Sequence, residues 1–338
     1  MKKPYLIIVS VLALLIATLG VTSCATPVRK SEVTRTLMDT FVTVTVYASD
    51  EAKADEAINA AFDRMEEIVK VASIFDEEAQ AFQLNRDGYL EAPSEDLRQL
   101  IIKSLEYSKL TDGAFDITVQ PLLELWEAGL WQEPQEVQQQ RINETLKLVG
   151  WDKIIVEEDK IFFTEEGMKI TLGGIAKGYA VDEALKTIKR LGIKSALVNA
   201  GGDMAALGSK PGGEPWFIAL YNPDDPTQSL VNFEVANKAV TTSGNYARFF
   251  DPEKEAGHII DPKTGYSAQD CISATVIAEN ATQADALSTS IFVMGPEEGV
   301  KLIESLSNVE CLIVSADRKT IYASSGLSMH LAESEVEE

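Results

Sequence analysis

Histidine is almost absent from this chain, with 2 in 338 residues, and the 3 cysteines, Cys24, Cys271 and Cys311, stand far apart with no C-x-x-C pair. Neither a zinc site nor a disulfide framework is indicated. Cys271 and Cys311 sit in apolar, strand-like runs and read as small buried hydrophobes. Positive charge is also short: 30 Lys+Arg face 53 Asp+Glu, a formal net charge of −23. Such a field repels nucleic acid and anionic lipid headgroups. A phosphate-bearing ligand would need locally placed Lys or Arg side chains, or a bound divalent cation. With 21 Gly and 12 Pro and no internal repeat, the chain is neither collagen-like nor of low complexity. What is present, 45% hydrophobic and 25% charged residues, builds a sizeable core in one large or two ordinary domains.

The first 24 residues read as an address. Lys2 and Lys3 precede an apolar run over residues 5–21, interrupted only by Ser10, Thr18 and Gly20, which is the pattern of a secretory signal. A membrane-spanning anchor is the alternative, but it needs about 20 apolar residues, which this run supplies only marginally. Val21-Thr22-Ser23-Cys24 resembles a bacterial lipobox, in which the cysteine is acylated and becomes the new N-terminus. Cleavage there would leave 28 basic against 53 acidic residues, a net −25. Residues 24–34, polar with one Pro, read as a lipidated tether, which starts the folded body near Arg35 on the outer side of a membrane. Residues 329–338 read as an acidic tail.

Within the body, residues 41–47 (FVTVTVY) alternate as a half-buried strand. Asp50 then caps a helix whose apolar stripe runs from Ala57 to Ala72. Ser94 caps a second helix, which ends at Thr111-Asp112-Gly113. The Gln/Glu-rich stretch 131–140 reads as a solvated helix start or an insertion. Strands are expected at 154–156, 160–163 and 168–172, followed by a glycine turn, a helix over 182–191 and a strand at 195–199. Further strands at 216–221 and 272–278 lead to helices over 282–294 and 296–306, and a hairpin at 310–315 and 319–322 closes the chain. Runs of strands with inserted helices, rather than strict alternation, favour an α+β fold.

Several short segments can carry chemistry. Residues 172–179 (LGGIAKGY) join a strand to a helix; their glycines let backbone approach a ligand, and the helix N-terminus with Lys177 suits an anion. The spacing matches neither a dinucleotide fingerprint nor a P-loop. Glycine turns at 199–203 (NAGGD) and 242–246 (TSGNY), also at strand ends, suggest one shared crevice. Asp285 and Thr289 are four apart on a helix, so their oxygens share a face and, with a carbonyl from a glycine turn, form a hard donor set suited to Mg²⁺. His258, in the polar turn 257–265 (GHIIDPKTG), is placed to act as a base, whereas His330 lies in the tail.

Taken in order, these segments resemble the ApbE family of flavin transferases over residues 35–328. The resemblance rests on Met38-Asp39-Thr40, Ser73-Ile74-Phe75 with Leu84-Asn85, residues 113–119 (GAFDITV) with Pro121 and Trp126, the turn 173–179, and the segments 199–203, 242–246, 258–265 and 285–289. It implies an α+β domain of mixed sheets with packed helices that moves FMN from FAD to a protein Thr or Ser hydroxyl and releases AMP. Met38 and Phe75 would border the flavin or adenine. Ala114, Phe115 and Asp116 would line the FAD site with Lys177 and the backbone of Ile259 and Ile260. Mg²⁺ would be held by the Gly174 carbonyl, Asp285 and Thr289, with His258 as the base. The implied partner is an acceptor flavoprotein, a membrane electron-transport subunit.

The chain departs from the family pattern at three places. Asp39 replaces the usual Gly, and Glu78-Ala79-Gln80 stands where a Ser-Glu pair is common. Thr171 replaces the Asp that opens the glycine motif, so an adenine hydrogen bond there comes from Thr171 or is lost. The competing functions are a Mg²⁺-dependent FAD pyrophosphatase giving FMN and AMP, and a lipoprotein that only binds FAD.

Overall fold

The computed structural model describes residues 27–222, 225–245, 249–251 and 256–332. Cys24 with the signal segment, Tyr246 and residues 333–338 lie outside the described residues. An eight-stranded antiparallel sheet organises the core. Its strands, in spatial order, are β1 (Arg29–Leu37), β2 (Thr40–Ala48), β6 (Ala196–Ala200), β7 (Asp203–Leu207), β10 (Ala239–Gly244), β11 (Cys271–Ala278), β12 (Glu310–Ser315) and β13 (Ile321–Ala323). Period-two alternation divides the apolar residues between its faces. Along β12, Cys311 and Ile313 join the core on one side, and Leu312 and Val314 the core on the other.

Helices cover the first face. They are α1 (Glu51–Ala72), α6 (Ala176–Arg190), α7 (Ala281–Met294) and α8 (Pro296–Glu304), packed in turn on β2, β6 and β7, β10 and β11, and β12. Asp50 caps α1 by accepting from the Ala52 and Lys53 N–H groups, and the expected stripe is buried, with Ile58, Phe62, Met65 and Ile68 in the core. Each side chain of that size adds about 1.5–3 kcal/mol by leaving water. The hairpin β8 (Trp216–Asn222) and β9 (Asp225–Val235) covers the second face through Trp216, Ile218, Phe233 and Val235. The rest is α2 (Gln80–Asp87), α3 (Glu95–Leu110), α4 (Gln120–Glu127), α5 (Gln135–Thr145), and the three-stranded sheet of β3 (Tyr89–Glu91), β5 (Lys160–Phe163) and β4 (Ile154–Val156). The mixture is α+β, as expected.

Four expectations are corrected. The stretch read as tether is folded from Arg29: β1 pairs with β2 over its full length, from Arg29↔Ala48 to Leu37↔Thr40. It looks polar because it is an edge strand with most side chains exposed. Residues 168–172 form no regular element and join no sheet. The Asn85 side chain stands in for a neighbouring strand, accepting from the Ile170 N–H at 2.7 Å and donating to its carbonyl at 2.8 Å, while Thr171 N–H donates to the Ile117 carbonyl. Helix α6 begins at Ala176, six residues before the expected start. At the other end the folded body runs past Leu327 through His330 to Ala332, whose N–H donates to Asn232.

Candidate functional site

The turn 173–175 delivers the first residues of α6 against α7. A Cβ on Gly178 would lie 2.2 Å from the Ala281 carbonyl oxygen and 2.8 Å from the Asp285 Cβ, so only glycine allows the two helices to meet this closely. The contact produces reciprocal capping. The first N–H groups of any helix lack intrahelical partners. Asp285, on α7, accepts from the Gly178 N–H at 3.0 Å, and Asp182, on α6, accepts from the N–H groups of Ala281 and Thr282 and from the Thr282 hydroxyl.

One turn beyond Asp285, Thr289 Oγ1 lies 3.1 Å from Ser243 Oγ on β10, and Ser243 Oγ lies 2.9 Å from Ser288 Oγ. Gly174 packs on the same hydroxyl: a Cβ there would stand 3.1 Å from Thr289 Oγ1 and 3.1 Å from the Phe115 ring. The structure therefore brings Gly174, Phe115 and the Asp285–Thr289 face of α7 together from three distant stretches of chain. Phe115 is buried edge-on to Tyr107, and Ala114 beside it is buried too.

The electrostatics centre on two buried carboxylates. Burial first, then the like charge of Asp203, pushes Asp285 up from the ordinary carboxylate range, against the pull of Lys177 and the Gly178 N–H. Asp203 opens β7 with its side chain 3% exposed and forms an ion pair with Lys177 in the first turn of α6. The turn that delivers Asp203 is tight: Gly201 and Gly202 both have positive φ, and a Cβ on Gly201 would strike Thr40 Oγ1 at 2.3 Å. Thr40 ends a second tight hairpin whose central residues, Met38 and Asp39, have φ of 54° and 56°. Both therefore lie in the left-handed region of a type I′ turn. Aspartate tolerates that conformation better than most residues, which accounts for Asp39 at a position where glycine is usual.

His258 is half-buried on a loop clamped at both ends. Asn245, just past β10, donates to the Ala268 carbonyl at 2.8 Å and accepts from the Ile259 N–H at 3.4 Å, and a Cβ on Gly257 would run into its amide. Trp126 Nε1 donates to the Gly265 carbonyl at 2.9 Å. Ile259 and Ile260 face different apolar clusters, so the loop is pinned by packing as well.

The remaining expected residues are placed less centrally. Asp116 is buried with both carboxylate oxygens engaged, by the N–H and hydroxyl of Thr118 and by the Trp151 N–H, which makes it a joint of the loop after α3. Its carboxyl is pushed up by burial. Thr171 Oγ1 accepts from the Gly173 N–H at 3.3 Å. Phe75 is 80% exposed in the turn after α1, where Ser73 Oγ accepts its N–H, and Met38 packs partly against the main core. Sequence reasoning passed over Asn245, Ser243 and Asp203 as working residues, although each lies in a glycine-turn segment it had singled out.

Among the described residues no three His, Cys, Asp or Glu side chains gather as a metal cage. The donors that do gather, one desolvated carboxylate, a threonine hydroxyl and glycine-turn backbone, are hard oxygens. They fit a Mg²⁺ ion completed by ligand phosphate and water.

The ApbE family model matches residues 38–313. The FAD:protein FMN transferase of Haemophilus influenzae is 29% identical over 273 residues, covering 77% of this chain and 79% of that protein. The one from Treponema pallidum is 27% identical over 332 residues, 91% of each. Among solved structures, the ApbE protein of Thermotoga maritima superposes with a TM-score of 0.81 at 32% identity, covering 90% of this chain and all of that one. The flavin transferase ApbE of Vibrio cholerae does so with 0.78 at 25%, with the same coverage. By a family match across most of its length, and by a fold shared nearly end to end with these structures, the chain belongs to the ApbE family.

Proposed function

We propose that this protein transfers FMN from FAD to a Thr or Ser hydroxyl of an acceptor protein and releases AMP. The observation that carries the reading is the α6–α7 junction, where glycine-turn backbone, Thr289, buried Asp285 and Lys177 converge on one spot. In the reaction a bond forms between the acceptor oxygen and the FMN phosphorus, the anhydride bond to the AMP phosphate breaks, and AMP departs. A hydroxyl is a weak nucleophile at neutral pH, and His258 accepts its proton. The clamps from Asn245 and Trp126 hold the histidine's loop in place, so little ordering is left for the moment of reaction. Lys177 and the N-terminus of α6 receive the diphosphate. Mg²⁺, which Gly174, Asp285 and Thr289 would hold, supplies charge neutralisation on that diphosphate.

Lipidation at Cys24 would tether the enzyme to the extracytoplasmic face of a membrane. The acceptor is then a flavoprotein subunit of a membrane electron-transport complex. With β1 folded from Arg29, the tether spans residues 24–28. Among the described residues no helix is long and apolar enough to cross a membrane. Incubation with FAD, Mg²⁺ and an acceptor domain tests the reading. A fluorescent acceptor with the added mass of FMN is expected. Free FMN and AMP on an unmodified acceptor would instead mark a pyrophosphatase, and unchanged FAD a binding protein.

A further inference from the structure

Lys177, next to the Gly178 that donates to Asp285, is one ammonium near two buried carboxylates. Its ammonium is paired with Asp203, whose side chain is 3% exposed, and its charge also acts on Asp285. Asp285 accepts, among the described residues, a single hydrogen bond, from the Gly178 N–H. One ammonium shared by two desolvated carboxylates is an arrangement that depends on the ammonium staying beside them. A divalent cation arriving at Asp285 meets that ammonium as a like charge in a low-dielectric setting.

We propose that Asp203 is a positioning residue which pins Lys177 beside Asp285, and that the pinned ammonium stands in for the metal, opposing a divalent cation that arrives without a diphosphate. When a dinucleotide diphosphate enters, its negative charge takes up Lys177 and the opposition ends. Cation and diphosphate therefore bind with positive coupling, each weakly alone. This rests on the reading of Asp285 as a cation ligand.

The test is titration of the folded full chain with Mn²⁺ alone, without FAD, followed by calorimetry or the loss of free Mn²⁺ paramagnetic signal. Lys177→Met is expected to tighten Mn²⁺ by about fivefold or more, Lys177→Arg to keep the wild-type value, and Asp203→Asn, which releases the ammonium, to tighten it by a smaller factor. Repeated with ADP as the diphosphate probe, wild-type protein should bind Mn²⁺ more tightly than alone, with the gain reduced in Lys177→Met. A merely structural role for the ion pair would lower melting temperature in both variants without tightening Mn²⁺ in either. Mn²⁺ affinity in Lys177→Met equal to or weaker than wild type overturns the proposal. An Asp285→Asn variant separates the two claims: if it binds Mn²⁺ like wild type, the ligand assignment itself fails.

Discussion

Asp182 and Asp285 occupy equivalent places on two crossing helices, each capping the N-terminus of the other's helix, yet they are satisfied to different degrees. Asp182 receives three hydrogen bonds, from Ala281 N–H, Thr282 N–H and the Thr282 hydroxyl. Among the described residues Asp285 receives one, from Gly178 N–H, and it shares its surroundings with Asp203. Burial pushes both carboxyls up, but for Asp182 the Thr282 and Ala281 donors offset it, whereas for Asp285 a neighbouring negative charge adds to it. A saturated carboxylate serves the fold. An unsaturated, desolvated one, a helical turn from Thr289, is what the proposed cation site would draw on, at some cost in stability.

The junction that makes both caps is the point at which to break this comparison. Gly178→Ala would drive a methyl into the Ala281 backbone and separate the helices, costing about 3 kcal/mol or more, measured by urea unfolding. The two aspartates should then part company. Asp182→Ala removes a fully used cap and is expected to lose about 1–2 kcal/mol. Asp285→Asn removes a buried negative charge next to another and should unfold within about 1 kcal/mol of wild type while losing FMN transfer and its Mg²⁺ dependence together. An unchanged Mg²⁺ titration in Asp285→Asn would remove that residue from the metal site. His258→Ala should abolish transfer and retain FAD binding, and full transfer by that variant would end its assignment as the base.

A pH-dependent effect sharpens the contrast from outside the site. Arg64 donates to both oxygens of Asp96 at the α1–α3 contact, and this hydrogen bond holds the Asp96 carboxyl below its usual range. A lowered carboxylate pKa contributes stability that is fully present above the unfolded value, about 3.9, and is lost as pH falls through the folded one. Asp96→Asn should therefore cost about 1–2 kcal/mol at pH 7, once solvent screening is allowed for. The gap in melting temperature from wild type should close below about pH 4. A gap that persists unchanged at pH 3 would contradict the pairing.

Local signals were legible and distant partners were not. The caps Asp50 and Ser94, the stripe on α1 and the i, i+4 pair Asp285/Thr289 depend on neighbours a few residues away, and each appears in the structure as read. The start of α6 was missed because glycines weaken helix propensity over 173–178, and the group that caps it, Asp285, lies about 100 residues further on. Residues 168–172 look like a strand because apolar residues alternate along them, but their partner is an asparagine side chain 85 residues earlier. Likewise, nothing local to Asp203 or Asn245 reveals that one holds Lys177 and the other the loop of His258.

The most direct measurement is intact mass of an acceptor domain after incubation with FAD, Mg²⁺ and either wild-type protein or Asp285→Asn, with the melting temperature of each recorded beside it. The account predicts addition of FMN with wild type, none with the variant, and nearly equal melting temperatures. Addition of FMN by both proteins, or loss of folding in Asp285→Asn as severe as in Asp182→Ala, would contradict it.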